Sequence, residues 1–212
     1  MSAINSQELM MPLNAADLDQ LYQAPSDAII KGVMPCLLPF HIAYLKVASF
    51  FCLATGSSEG LDASPRGGDP GFVRALDEKT VAFADWPGNN RIASLRNLTD
   101  DDRVGMLFIF PGLEVFMRIN GRGAISTEPG LLANLAEGGR SPKTAIVVHL
   151  DEVLFHCGKA INRAKLWSED ARLDRRSVPS IGEMKAAMTG DDPKKVQTVD
   201  EAYYQAVRNN LY

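Results

Sequence analysis

Two arginines, Arg66 and Arg91, combine a residue type and a setting that suit the binding of an anion. Each is predicted at the end of a strand, next to glycines that let backbone amides come close to a ligand. Arg91 is expected in the first turn of a helix over residues 91–98, with Asn89 or Asn90 as its N-cap. The helix dipole disfavours a cation there unless an anion neutralises it. Because helix amides and guanidinium groups together suit a phosphate, the two arginines are predicted to form a phosphate clamp.

Each of these stretches also has an interpretation without a ligand. Arg91 would extend into water or pair with Asp85, and residues 67–71 would be an irregular surface loop. In the ligand-binding interpretation, residues 67–71 form a bulge that interrupts a strand where a ligand or another backbone approaches. Both interpretations are open at this stage.

Other catalytic templates are absent from the sequence. The three histidines lack zinc-motif spacing, and neither the Gly-x-Ser-x-Gly motif nor a nucleotide-binding glycine signature after a strand occurs. His41 is therefore expected to be a partly buried histidine bonded to a neighbour, and no metal site is expected. If the chain is an enzyme, its reactive chemistry is expected to come from a bound cofactor.

Composition favours a cytoplasmic protein of ordinary globular type. The net charge of −4 gives no general attraction to nucleic acid or to anionic membranes, so neither is expected as a partner. The longest apolar runs, residues 47–54 and 104–111, are of strand length and too short to span a bilayer. The N-terminus does not have the pattern of a secretion signal, and the three cysteines are interpreted as reduced thiols.

The elements that would position the arginines are mostly strands. Residues 1–48 are predicted to be a helical lead-in, 49–168 the barrel domain, and 169–212 a helical extension packed on the same domain. The short, apolar or alternating segments predict roughly seven strands in a mostly antiparallel sheet that curls into a small barrel. These segments are 49–56, 61–66, 72–76, 80–84, 103–110, 113–126 with a division at 120, and 145–156. Asn14, with Asp17 three residues later, predicts a helix through Tyr22, and capping boxes predict helix starts at Ser180 and Thr198.

Several linked segments resemble the pyridoxamine 5'-phosphate oxidase-like flavin proteins, in particular a largely uncharacterised bacterial branch. The resemblance covers about residues 40–168. The segments that carry it are 50–55, 62–68, 87–91, 102–108, 118–123 and 156–167.

The resemblance implies a mainly β fold with flanking helices, namely a split β-barrel homodimer that binds FMN in two clefts at the subunit interface. One group of residues would lie along the flavin ring and ribityl chain, with Arg66 reaching toward the phosphate: Ser64, Pro65, Arg66 and Gly67. A second pair, Asn90 and Arg91, would complete the phosphate site. A third group would come from the opposite subunit: Lys159, Arg163 and Trp167.

The resemblance also implies a flavoprotein oxidoreductase that passes hydride between the flavin and an unknown small molecule or electron donor. Oxidation of a vitamin B6 phosphate is not expected, because the family's arginine-x-histidine-x-x-arginine signature is replaced by residues 162–165, which contain no histidine. One alternative is a non-enzymatic FMN carrier or sensor. Another is a split barrel that binds deazaflavin F420, or haem with His41 or His156 as the iron ligand.

Overall fold

The computed structural model describes residues 13–211. The chain divides into two compact units, and the boundary lies between Val33 and Met34. The predicted lead-in at residues 1–12, and residue 212 of the predicted extension, lie outside the described residues. The predicted domain limits at 48 and 168 stay predictions.

The described part of the first unit contains α1 (Ala15–Leu21) and α2 (Asp27–Lys31). The helix start predicted at Asn14 is confirmed, and Asn14 and Asp17 form a capping box. The Asn14 side chain accepts a hydrogen bond from the Asp17 N–H at 3.1 Å, and the Asp17 carboxylate accepts one from the Asn14 N–H at 2.9 Å. Two of the amide groups that begin the helix are thereby satisfied.

The second unit contains a single sheet in its described residues. Its strands are β1 (Phe50–Ser57), β2 (Gly60–Gly67), β3 (Arg74–Ala75), β4 (Thr80–Asp85), β5 (Arg103–Ile109), β6 (Val115–Ser126) and β7 (Thr144–Cys157). Its helices are α3 (Pro39–Val47), α4 (Ala93–Asp100), α5 (Pro129–Asn134), α6 (Lys159–Ala164), α7 (Ile181–Thr189) and α8 (Val196–Asn209). Short 3₁₀ turns lie at Glu169–Ala171, Arg175–Ser177 and Pro193–Lys195.

The described strands form a seven-stranded sheet in the order β2-β1-β5-β6-β7-β4-β3, and every neighbouring pair is antiparallel. β1 and β4 lie four places apart in this order, yet the rings of Phe51 and Phe83 meet edge to face with centroids 5.0 Å apart. The sheet is therefore curled. Both side chains are fully buried in the main core. The predicted mainly β split barrel with flanking helices is confirmed.

Two strand predictions differ from the structure. The strand expected over 72–76 is reduced to β3, since Phe72 turns back and its N–H donates to the Asp69 carbonyl at 2.9 Å. The two strands expected on either side of residue 120 are one strand, β6, with a register shift between Asn120 and Gly121. A Cβ at Gly121 would collide with the His149 carbonyl oxygen of β7, so only glycine permits this approach.

The C-terminal helices form a pair. The capping box predicted at Ser180 is confirmed, because the Ser180 hydroxyl accepts from the Glu183 N–H at 3.2 Å and the Glu183 carboxylate accepts from the Ser180 N–H at 2.7 Å. The helix start predicted at Thr198 is wrong, because α8 already begins at Val196 and includes Thr198. The Gly182 N–H donates to the Asp200 carboxylate at 2.7 Å and joins the two helices. No described helix has both the length and the apolar character needed to cross a bilayer.

His41 lies in the interface between α3 and the sheet and is 1% exposed. Its Nδ1 accepts a hydrogen bond from the Leu38 N–H at 2.9 Å, and its ring stacks on Phe155 at 5.4 Å between centroids. Burial lowers the pKa of the imidazole. The predicted bonded histidine is confirmed, and this burial disfavours a role for His41 as an iron ligand.

Candidate functional site

A cavity of about 360 Å³ opens where the end of β4, the start of α4 and strand β2 meet. Its wall brings together the two arginines that the sequence singles out, Arg66 and Arg91. Ser64 and Asn90 also line it. The cavity thus gathers residues from distant parts of the sequence around one space.

Arg66 is held by hydrogen bonds from both ends of its guanidinium group. Its Nη1 lies 3.3 Å from Asp85 Oδ1, and its Nη2 donates to Ser94 Oγ at 3.1 Å. The Ser94 hydroxyl, which is 2% exposed as a residue, donates in turn to Asp62 Oδ2 at 2.7 Å. Burial raises the pKa of the Asp85 carboxyl, and the charge of Arg66 opposes that shift. Arg66 therefore enters the site already oriented, with its charge largely compensated.

One polar atom of this network has no protein partner. Arg66 Nε is buried and makes no hydrogen bond within the described residues. Such an unsatisfied donor is unusual, because a buried polar atom without a partner costs free energy. The network therefore leaves one donor of Arg66 unsatisfied inside the protein.

The loop before α4 has an unusual backbone. Asn90 and Ile92 both have positive φ, at 59° and 47°. This conformation is tolerated by asparagine but is strained for a β-branched residue such as isoleucine. The left-handed backbone of Ile92 lies outside the helix, and α4 begins at the next residue, Ala93. The predicted helix over 91–98 therefore starts two residues too early.

The prediction that Arg91 lies in the first helical turn is wrong. Ile92 occupies the N-cap position of α4, and no side chain caps the helix. Asn89 instead accepts a hydrogen bond from the Arg91 N–H at 3.0 Å within the loop. Residues 93–95, whose amides begin the helix, line the cavity. An uncapped helix start thus faces the same space as Arg91.

The Arg91 side chain makes no hydrogen bond or ion pair with the described residues. The alternative pairing of Arg91 with Asp85 is not found, because Asp85 pairs with Arg66. Arg91 is exposed and lines the cavity. Its guanidinium group is therefore available to a ligand.

The residues expected along β2 divide between its two faces. Ser64 and Arg66 line the cavity, as does Asp62. Pro65 and Gly67 lie on the opposite face, since successive strand residues alternate. Of the four β2 residues predicted from the sequence, only Ser64 and Arg66 line the cavity.

Lys143 also lines the cavity and was not singled out in the sequence. It directly precedes Thr144, which pairs with Asp85 in the β4–β7 ladder. In the sequence it is one lysine between a short helix and a strand, far from either arginine. Only the register of two strands distant in sequence reveals its position.

The residues expected from an opposite subunit do not line this cavity. Lys159 and Arg163 lie on α6, and Trp167 follows that helix. The Trp167 indole N–H donates to the Leu113 carbonyl at 2.9 Å. Gly158, just before α6, lies so close to the start of β6 that a Cβ there would collide with the backbone of Glu114.

Comparisons with known proteins agree with the fold. The family model described as pyridoxamine 5'-phosphate oxidase matches residues 39–157. No curated protein matches the sequence. The family assignment therefore depends on the match over 39–157.

Several solved structures are similar at low identity. HupZ from Group A Streptococcus has 19% identity and a TM-score of 0.45, covering 55% of this chain and 92% of HupZ. An FMN-binding protein from Syntrophomonas wolfei has 10% identity and a TM-score of 0.42, covering 54% of this chain and 82% of that protein. A protein named F420 reductase has 16% identity and a TM-score of 0.40, covering 54% and 94%.

Proposed function

The chain belongs to the pyridoxamine 5'-phosphate oxidase family, and from this premise we propose that it is an FMN-binding flavoprotein oxidoreductase. It exchanges hydride or electrons between the bound flavin and a small molecule. The observation that carries the proposal is the cavity itself, which combines cationic side chains with the uncapped start of α4. Both features favour a phosphate group.

The groups of the cavity fit the phosphate end of FMN. Arg91 has no protein partner within the described residues and can form two parallel hydrogen bonds to phosphate oxygens. The amides of residues 93–95 add donors and the positive end of a helix dipole. Arg66 adds a guanidinium group that Asp85 and Ser94 hold in a fixed orientation. Asn90 supplies a further polar side chain.

The remainder of the cofactor is proposed to follow β2 away from the phosphate. Ser64 would then border the ribityl chain with its side chain, whereas Pro65 and Gly67, on the opposite face of β2, would contribute only backbone. When bound, the flavin supplies hydride transfer at N5. The residues of this chain bind the phosphate, orient the ring and set the charge around it.

The active form is proposed to be a homodimer with one cofactor site at each side of its interface. Lys159, Arg163 and Trp167 do not line the cavity of their own chain, so their proposed role requires a second copy. All three lie on or just after α6, and could therefore reach a partner's cofactor together.

Replacing Arg91 tests the phosphate assignment. We expect Arg91→Ala to weaken FMN binding by about one to two orders of magnitude, or ~1.5–3 kcal/mol, because a charge-assisted hydrogen bond is lost. Flavin fluorescence titration measures the dissociation constant. Arg96→Ala is the matched control, because Arg96 is exposed on α4 and does not line the cavity. Equal dissociation constants for Arg91→Ala and the parent would refute the assignment.

A further inference from the structure

We propose that Lys143 is a third anion-binding residue of this cavity and that it decides whether the site selects a phosphate monoester. The inference rests on the proposed function, because it concerns the same cavity and the same cofactor. It names a residue that neither the sequence motifs nor the family resemblance indicated.

The position of Lys143 follows from the register of two strands. Thr144 is the Cα partner of Asp85, which is the last residue of β4. Lys143 therefore lies where that ladder ends, next to the loop that carries Arg91. It lines the cavity with Arg66 and Arg91. Its ammonium group has no ion pair or hydrogen bond with any residue that the structure describes.

The charges of the cavity explain why a third cation matters. Two carboxylates, Asp62 and Asp85, line the wall together with the two arginines. Arg66 is paired with Asp85 and is connected to Asp62 through Ser94, so it offers little uncompensated charge. With Arg66 and Arg91 as the only cations, cationic and anionic side chains of the wall would be equal in number. Lys143 makes the wall net positive.

A net positive wall is what a dianionic ligand needs. A phosphate monoester carries nearly two negative charges at neutral pH, and each nearby carboxylate repels it. A lysine ammonium is a compact charge on a flexible chain, so it can approach the phosphate without a fixed geometry. Arg91 would then supply the directional hydrogen bonds, and Lys143 the surplus of positive charge.

The comparison of FMN with riboflavin isolates this effect, because riboflavin has the same ring and ribityl chain without the phosphate. We expect Lys143→Gln to lower the ratio of the riboflavin to the FMN dissociation constant by about tenfold, as for loss of one charge-assisted contact. Because both ligands are titrated into the same sample, a partly unfolded preparation affects both constants alike. The ratio therefore reports the phosphate contact itself.

Two further variants make the test specific. Lys143→Arg keeps the charge and should hold the ratio within about twofold of the parent value. Lys79→Gln removes the same charge from the exposed turn before β4, outside the cavity, and should leave the ratio unchanged. An effect of Lys79→Gln equal to that of Lys143→Gln would indicate a general charge effect and overturn the inference.

The outcomes separate this inference from the proposed function. If the parent protein binds FMN no better than riboflavin, or binds neither, the phosphate site and the inference both fail. If the parent prefers FMN and Lys143→Gln retains that preference, only the role of Lys143 fails. A selective loss of FMN preference in Lys143→Gln, restored in Lys143→Arg, supports it.

Discussion

At the scale of single residues, the hydroxyl group of Ser94 links three elements. This hydroxyl, on α4, accepts a hydrogen bond from Arg66 of β2 and donates one to Asp62 of the same strand. Arg66 in turn pairs with Asp85 and so connects β4 to the network. The arginine is therefore oriented before any ligand arrives. Preorganisation of this kind lowers the entropy lost on binding.

Removing this hydroxyl should destabilise the protein. We expect Ser94→Ala to lower the free energy of unfolding by about 1–2 kcal/mol, because Arg66 loses an acceptor and the Asp62 carboxylate loses a donor in a partly buried network. Urea denaturation followed by circular dichroism measures the change. Ser141→Ala, at an exposed serine, is the control and should cost less than about 0.5 kcal/mol. Equal midpoints for the two variants would contradict the structural role of Ser94.

Residue types alone predict part of this site. Arg66 stands out as a cation beside two glycines and Arg91 as a cation after two asparagines, and both line one cavity. Asp62, Ser94 and Lys143 do not stand out, because they belong to the site only through their position beside residues far away in sequence. Local patterns contain no information on such long-range register.

At the scale of elements, the loop between β4 and α4 determines where the helix begins. Capping preference favours asparagine as the N-cap, which explains the helix start predicted from the sequence. The chain instead continues through two left-handed residues, Asn90 and Ile92, and leaves α4 uncapped. Such strain persists where surrounding structure holds it, and it is frequent at binding sites. A sequence pattern does not show this, because isoleucine rarely adopts the conformation.

A change at Ile92 should relieve the strain. We expect Ile92→Asn to raise the free energy of unfolding by about 0.5–1 kcal/mol, because asparagine tolerates the left-handed region and the isoleucine side chain is 45% exposed. Thermal and urea denaturation measure this. At Ile125, which is similarly exposed but lies in the regular strand β6, the same replacement should not stabilise the protein. Loss of stability in Ile92→Asn would argue against strain at this position.

At the scale of the whole molecule, alternation and turn residues predicted the antiparallel barrel well. Adjacent strands such as β1 and β2 are joined by a short turn, so local signals specify them. The pairing of β4 with β7 joins strands far apart in sequence and could not be deduced from either segment alone. This pairing brings Lys143 and Thr144 into the cavity wall, so the sequence did not indicate Lys143.

The proposed dimer can be tested by its mass and by mixing two defective variants. Light scattering should give twice the chain mass of 23.1 kDa. In addition, Arg91→Ala and Arg163→Ala chains should each form dimers that bind FMN weakly, because every site lacks one contact. After the two are unfolded, mixed equally and refolded, random pairing should restore tight binding at about a quarter of the sites, since one site of each mixed dimer is intact. A single-chain mass, or no recovery on mixing, would count against a shared site.

The close passage of Gly158 past Glu114 has a consequence for inherited variation. Any other amino acid at position 158 must push α6 away from the start of β6, and with it Lys159 and Arg163. The cavity on the same chain contains none of these residues. In the proposed dimer, a single methyl group at position 158 would thus leave the cavity of its own chain unchanged and displace the residues proposed to complete the cavity of the second copy.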